Sequence, residues 1–319
     1  MQKLKFIYLL FITVTLFSCR KEDTTPPLEN TQNEDLSGYQ EIASINLGGA
    51  GAAEITAFDP TTDRLFSVNN SAENKIDVID MSNPASLTVI KSISMLPYGG
   101  YVNSVAVSNG KLAAAIESIN KQANGKIVVF NTSTYAEIKS INVGALPDMV
   151  TFSPDGNYII SANEGEPSAD YLNDPEGSVS IIKVSDYSVT TLNFAAFESQ
   201  LASLTAKGFR IFGPGKNFIK DIEPEYITVS DDSKTAYVTL QENNAIAEID
   251  IATATVKKIT PLGFKDYSLA GNAIDVSDKD NKIEFNTFSK VYGIYMPDAI
   301  AYFNHNGTPY LFTANEGDS

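Results

Sequence analysis

From about residue 54 the chain runs in short stretches that alternate apolar and polar residues, each closed by a turn signal. Lys75-Ile76-Asp77-Val78-Ile79-Asp80 is one such stretch, and Ala245-Ile246-Ala247-Glu248-Ile249-Asp250 is another. Period-2 alternation puts every second side chain on one face, so each stretch reads as a strand with at least one buried face. The turns between them carry suitable chemistry: Asn109-Gly110, Ser153-Pro154-Asp155-Gly156 and Asn306-Gly307.

The strands belong to a repeat. Its clearest copy is Pro147-Asp148-Met149-Val150-Thr151-Phe152-Ser153-Pro154-Asp155-Gly156, continuing to Ala162-Asn163-Glu164-Gly165. A second copy starts at Pro224-Glu225-Tyr226-Ile227 and reaches Gln241-Glu242. A third starts at Pro297-Asp298-Ala299-Ile300 and reaches Asn315-Glu316-Gly317. Weaker copies begin near Glu54 and Asn103. A third strand follows, as in Gly125-Lys126-Ile127-Val128-Val129-Phe130, then a fourth, as in Ala136-Glu137-Ile138-Lys139-Ser140-Ile141.

Four short strands per unit predict an all-β fold, a β-propeller of four-stranded blades. Two long intervals hold inserts, roughly 194–222 and 263–296. The chain is expected to cover roughly four and a half blades of about seven. A half blade would leave a bare strand edge, so a longer propeller is expected.

The first residues read differently. Lys3 and Lys5 precede an apolar run, Phe6 to Phe17, that is short for a membrane span. It ends in Leu16-Phe17-Ser18-Cys19, similar to a lipobox. The expected layout is a signal peptide over 1–18, an acylated Cys19 with a polar, Pro-containing tether over 19–38, and the propeller over 39–319. The protein would then be exported and lipid-anchored in the outer membrane, facing the cell surface, with the acylated Cys19 as its only membrane contact. Arg20-Lys21-Glu22-Asp23 resembles a surface-export signal of Bacteroidetes-type lipoproteins.

Composition narrows the chemistry. The net charge of −16 disfavours nucleic acid and anionic lipid as partners and favours cations. With one Cys and one His, His305, the chain cannot build an internal disulfide, a multi-Cys zinc site or a two-imidazole centre.

In a propeller the first strand of each blade lines the channel, and the second runs back beside it. The start of the first and the end of the second therefore meet at one mouth. Glu54, Asp148, Glu225 and Asp298 stand at the starts. Asn70, Glu117, Asn163 with Glu164, Gln241 with Glu242, and Asn315 with Glu316 stand at the ends. These predict an acidic mouth. Crowded carboxylates repel unless protons or a cation neutralise them, and Ca²⁺ prefers carboxylate oxygen.

The candidate ligands for Ca²⁺, or another divalent cation, are Asp148, Glu164, Glu166, Glu225, Glu242, Asp298 and Glu316. Asp278 and Asp280 join them as an imperfect calcium loop, Asp275-Val276-Ser277-Asp278-Lys279-Asp280-Asn281, which lacks the usual Gly. Asn163, Glu176, Arg210, Lys216, Gln241 and Asn315 are candidate contacts to an extracellular anionic, carbohydrate or matrix ligand. Gly213-Pro214-Gly215-Lys216 lacks P-loop spacing, and Gly48-Gly49-Ala50-Gly51 precedes a strand, so neither cradles a nucleotide. His305, on a hairpin tip away from the mouth, is not expected to serve a catalytic triad.

The repeat, with Glu164-Gly165-Glu166-Pro167, Asp174-Pro175-Glu176-Gly177-Ser178-Val179, Asp221-Ile222-Glu223-Pro224-Glu225 and Gln241-Glu242-Asn243-Asn244, resembles the choice-of-anchor I family. That family includes mesenchyme-specific cell-surface glycoproteins. The resemblance covers nearly all of residues 40–319 and implies an extracellular YVTN/quinoprotein-like propeller. Members are often labelled alkaline-phosphatase-like, and some are joined to metallophosphatase or 5′-nucleotidase domains. Three functions stay open: a calcium-dependent binding module, a metal-dependent phosphoesterase with metal-bound water as nucleophile, and a structural envelope protein without ligand.

Overall fold

The computed structural model describes residues 38–215 and 217–316. Cys19 with its leader and most of the tether, and Lys216, lie outside the described residues.

Four antiparallel four-stranded sheets follow one another along the chain. The first contains β1 (Ala52–Asp59), β2 (Arg64–Asn69), β3 (Lys75–Asp80) and β4 (Thr88–Ser94). The second contains β5 (Val102–Ser108), β6 (Lys111–Ile116), β7 (Asn124–Asn131) and β8 (Glu137–Ala145). The third contains β9 (Pro147–Phe152), β10 (Tyr158–Asn163), β11 (Ser178–Lys183) and β12 (Val189–Leu192). The fourth contains β13 (Pro224–Val229), β14 (Thr235–Leu240), β15 (Ala245–Asp250) and β16 (Thr255–Pro261). A small pair, β17 (Lys265–Asp266) and β18 (Tyr292–Gly293), lies in the second insert. A fifth blade contributes β19 (Pro297–His305) and β20 (Thr308–Asn315).

The first strands β1, β5, β9, β13 and β19 pack side by side in that order. They are the inner strands, and the architecture is a partial β-propeller with four complete blades and two strands of a fifth.

Side-chain alternation explains how the blades adhere. In β6, Leu112, Ala114 and Ile116 join a cluster with Phe66, Val68 and Val78 of the first blade. The intervening Ala113 and Ala115 join one with Val150 and Ile159 of the third. The strand is therefore apolar on both faces and reads as a nearly continuous run, Leu112 to Ile116. β10 repeats the device, with Ile159 towards the second blade and Ile160 and Ala162 towards the fourth. Each fully buried Ile or Phe contributes about 1.5–3 kcal/mol.

The first insert is more than a surface loop. Residues 195–205 coil into a short 3₁₀ turn and one α turn, and Phe194, Leu204, Phe209, Phe218 and Ile222 are buried in the cluster between blades three and four. On the opposite end the turns are tight. Asn109-Gly110 and Asn306-Gly307 both have positive φ at both residues, as two-residue hairpin turns with right-handed strand twist demand.

Candidate functional site

Each inner strand carries an irregularity at the aligned acid or amide. β9 pairs Pro147 with Asn163 and Met149 with Ala162, so Asp148 has no ladder partner of its own. β19 pairs Pro297 with Asn315 and Ala299 with Ala314, which singles out Asp298. β5 does the same with Asn103, between Val102 paired to Ile116 and Ser104 paired to Ala115. In β13 the residues between Pro224 and Ile227 are Glu225 and Tyr226, facing Thr239 alone. β1 slips over a longer stretch that includes Glu54. An extra residue on one strand breaks the ladder and re-aims its side chain, a device common beside functional sites.

A backbone bond then fixes the end of the neighbouring strand. The N–H of Glu164 donates to the carbonyl of Leu146 at 2.8 Å, and that of Glu316 to Met296 at 3.0 Å. Glu117 donates to Tyr101 at 3.0 Å, and Asn70 to Gly51 at 2.7 Å. Leu146 and Met296 are held at φ of 48° and 47°, where bulky side chains rarely sit. Such backbone costs about 1–3 kcal/mol and persists where surrounding packing enforces it. Both side chains are buried.

The carboxylates gathered this way perturb one another. Burial, reinforced by the charges of Glu242, Glu164, Asp148 and Asp298, pushes the Glu225 carboxyl up to about 10. Burial, then Glu242, Glu164, Asp221 and Glu166, pushes Glu223 to about 9. Asp148 rises to about 6 through burial and the charge of Asp298, opposed by Lys121. Glu164 is pushed well above the ordinary range by burial and then by Asp148, Glu166 and Glu242, again opposed by Lys121. The amide of Gln241, with its nitrogen turned to the acid, donates to both Glu225 carboxyl oxygens, at 3.3 Å to Oε1.

Asp148, Glu164, Glu166, Glu225, Glu242 and Asp298 are thus brought together, from blades three, four and five. The remaining sequence candidates lie elsewhere or are otherwise engaged. Asn163 is fully buried; its amide donates to Ser180 Oγ at 2.9 Å and Ser178 Oγ at 3.2 Å, and accepts from Ser161 Oγ at 3.0 Å. Arg210 ties the first insert down, donating to the Glu242 carbonyl at 3.3 Å and to Met296 Sδ at 3.6 Å. Asn315 and Glu316 are exposed at the end of β20. Glu176 is exposed and lines a polar cleft with Asn124, Ser178, Thr191 and Asn193. Asp278 and Asp280 are exposed on the second insert, where Asp280 accepts the N–H of Lys282 at 3.0 Å.

Two members of the cluster escaped the candidate set. Glu223 lies one residue before β13, outside the aligned column. Its signal was the alternation Asp221-Ile222-Glu223-Pro224-Glu225, which puts acids on one side around Pro224. Lys121 lies in the loop between β6 and β7, where nothing in the repeat marks it.

Among the described residues, no three acidic, imidazole or thiol side chains already stand close enough to share one ion. The donor set is nevertheless all oxygen, as calcium requires.

Glycines set the neck of the loop over residues 164–177. A Cβ on Gly177 would stand 2.0 Å from the Ile222 carbonyl oxygen and 2.7 Å from Pro224 Cδ. Gly125 occupies the equivalent place one blade earlier, where a Cβ would meet Pro147 Cδ at 2.4 Å. The third strand of each of these blades therefore starts directly against the proline that opens the next blade.

The chain is 36% identical to the mesenchyme-specific cell surface glycoprotein of Strongylocentrotus purpuratus over 141 residues, 41% of this chain and 18% of that one. The match thus spans less than a fifth of that relative. Among solved structures, the β-propeller domain of Cps50 (Swd1) from Myceliophteria thermophila overlays 69% of this chain and 58% of its own, with TM-score 0.44 and 11% identity. Hydrazine synthase of Kuenenia stuttgartiensis overlays 65% of this chain and 74% of its own, with TM-score 0.37 and 12% identity. Neither overlay is close enough to carry an argument. The family model of the choice-of-anchor I domain matches residues 54–319, from the irregular first strand of blade one onward, and the chain belongs to the choice-of-anchor I family.

Proposed function

We propose that this propeller is a cell-surface interaction module whose channel mouth takes up a divalent cation, calcium by preference, and presents it to an anionic extracellular ligand. The observation that carries this reading is the convergence of Asp148, Glu164, Glu223, Glu225 and Glu242 from separate elements, with carboxyls raised to about 6, 9 and 10 at Asp148, Glu223 and Glu225. Burying like charges together is costly. A cation with about six to eight oxygen ligands removes that cost. The surface location draws support from the similarity to a cell surface glycoprotein of Strongylocentrotus purpuratus and from the lipobox-like Cys19.

Calcium titration by calorimetry on the mature protein tests it. Binding should release protons, so the observed heat should vary with the ionisation enthalpy of the buffer. The double variant Glu164→Gln, Glu225→Gln should lose the heat. Absence of binding by calcium, magnesium and manganese in the parent protein would overturn the reading.

A further inference from the structure

Lys121 is the opposing charge that recurs across this cluster. It sits in the loop after β6 and pairs with Glu166, in the loop after β10 of the next blade. Both side chains are only half-exposed, at 46% and 41%. The adjacent Gln122 amide donates to the Glu166 carbonyl at 3.4 Å, which fastens the two loops a second time. The ammonium also feels Glu164 and Glu117, and it is the cationic influence on Asp148, Glu164 and Glu117. Four acids from two blades therefore surround one lysine.

We infer that Lys121 is a tethered counter-cation that occupies the acidic mouth in the absence of a ligand and sets the charge a free cation must carry to enter. The inference rests on the cation reading of the mouth. A lysine ammonium is a compact, strongly hydrated point charge on a flexible stem with three donors. It can approach several carboxylates in turn without fixing any of them in a fork. A free monovalent ion entering the site would exchange one unit of charge for another and lose its own freedom besides. A divalent ion brings twice the charge and can displace the ammonium from Glu166 and the neighbouring carboxylates. Lys121 thus disfavours sodium and potassium and lowers the affinity for calcium to a reversible range. The loops of blades two and three, joined by the Lys121–Glu166 pair, would report occupancy by loosening when the ammonium leaves.

The test compares the parent protein with Lys121→Gln and Lys121→Arg by two measurements. In thermal unfolding without divalent cations, Lys121→Gln should melt several degrees lower than the parent, and Lys121→Arg should melt like the parent. Equal melting of all three would overturn the counter-charge role, whatever calcium does. In calcium titration, Lys121→Gln should bind about tenfold tighter or more, and 0.5 M sodium chloride should compete with calcium far better than in the parent. Unchanged or weaker calcium binding in Lys121→Gln would overturn the competition. Absence of calcium heat in all three would sink the cation reading and the competition with it, while the melting comparison would still decide the counter-charge role.

Discussion

Aspartate and glutamate occur at both ends of the blades, and the two ends treat them in opposite ways. At the turn end Asp155 is slightly buried, but the Ser153 hydroxyl and the Asn157 N–H more than offset that and hold its carboxyl below the usual range. Asp232, one blade on, is lowered by the Ser230 hydroxyl and the Lys234 N–H. Asp250 is lowered by Thr253 in the same manner. At the mouth end the carboxyls of Asp148, Glu164, Glu223 and Glu225 all rise. The difference is burial first, deep at the mouth and slight at the turns, and then the supply of donors. A tight turn points its free N–H groups at the acid that opens it. An irregular inner strand turns its acid away from the ladder, towards other acids.

Three changes would break or sharpen this contrast. The largest effect is expected from Gly177→Ala, because its methyl would strike the Ile222 carbonyl, which is backbone and cannot step aside. A loss of about 3 kcal/mol is expected, read as a lower urea midpoint. A midpoint equal to that of the parent would show that the mouth is not braced by this contact.

Next is pH. The Glu225 carboxyl lies near 10 in the folded protein and near 4.5 when unfolded. The protonated folded form therefore contributes stability that is complete below the unfolded value and lost as pH rises towards the folded one. Without divalent cations, melting temperature should fall from about pH 5 to about pH 9, and Glu225→Gln should flatten part of that fall. The lowered aspartates of the turn end work in reverse. Their contribution is present above 3.8 and lost as pH drops through their folded values. A pH profile with only the acid limb would contradict the mouth as described.

The smallest effect is expected from Asp155→Ala. It should cost about 1 kcal/mol through the lost turn bonds and leave calcium titration unchanged. Altered calcium binding in this variant would show that the two ends are coupled.

The blades were legible because their signal is local. Lys75–Asp80 and Ala245–Asp250 are strands with the bounds that their alternation gives. Asn109-Gly110 and Asn306-Gly307 turn where their chemistry dictates. The mouth was legible only where it repeats. Asp148, Glu225 and Asp298 share a column with a leading proline, so alignment of the copies finds them. Glu223 and Lys121 belong to connections, and connections do not repeat. Asn163 illustrates a different limit. It occupies the same column as the other strand ends, yet Ser178 and Ser180 stand opposite, and they draw its amide into the blade. Whether a polar strand end faces the channel or the sheet depends on its cross-strand neighbours. The first insert shows the same limit: no repeat marks its phenylalanines, yet they pack between blades.

Asn244 has a consequence beyond the mouth. Its amide nitrogen donates to Gly263 at 2.7 Å, where the second insert leaves, and its oxygen accepts from Tyr295 at 3.0 Å and Met296 at 3.3 Å, where the insert returns. One buried side chain thus clasps both ends of the excursion, so blade five is placed independently of what lies between. Loop closure grows costlier only slowly with length, by about 0.6 kcal/mol for each doubling. The segment between Gly263 and Tyr295 is therefore a natural grafting point, where one loop can be exchanged for another while Asn244 keeps both ends in place.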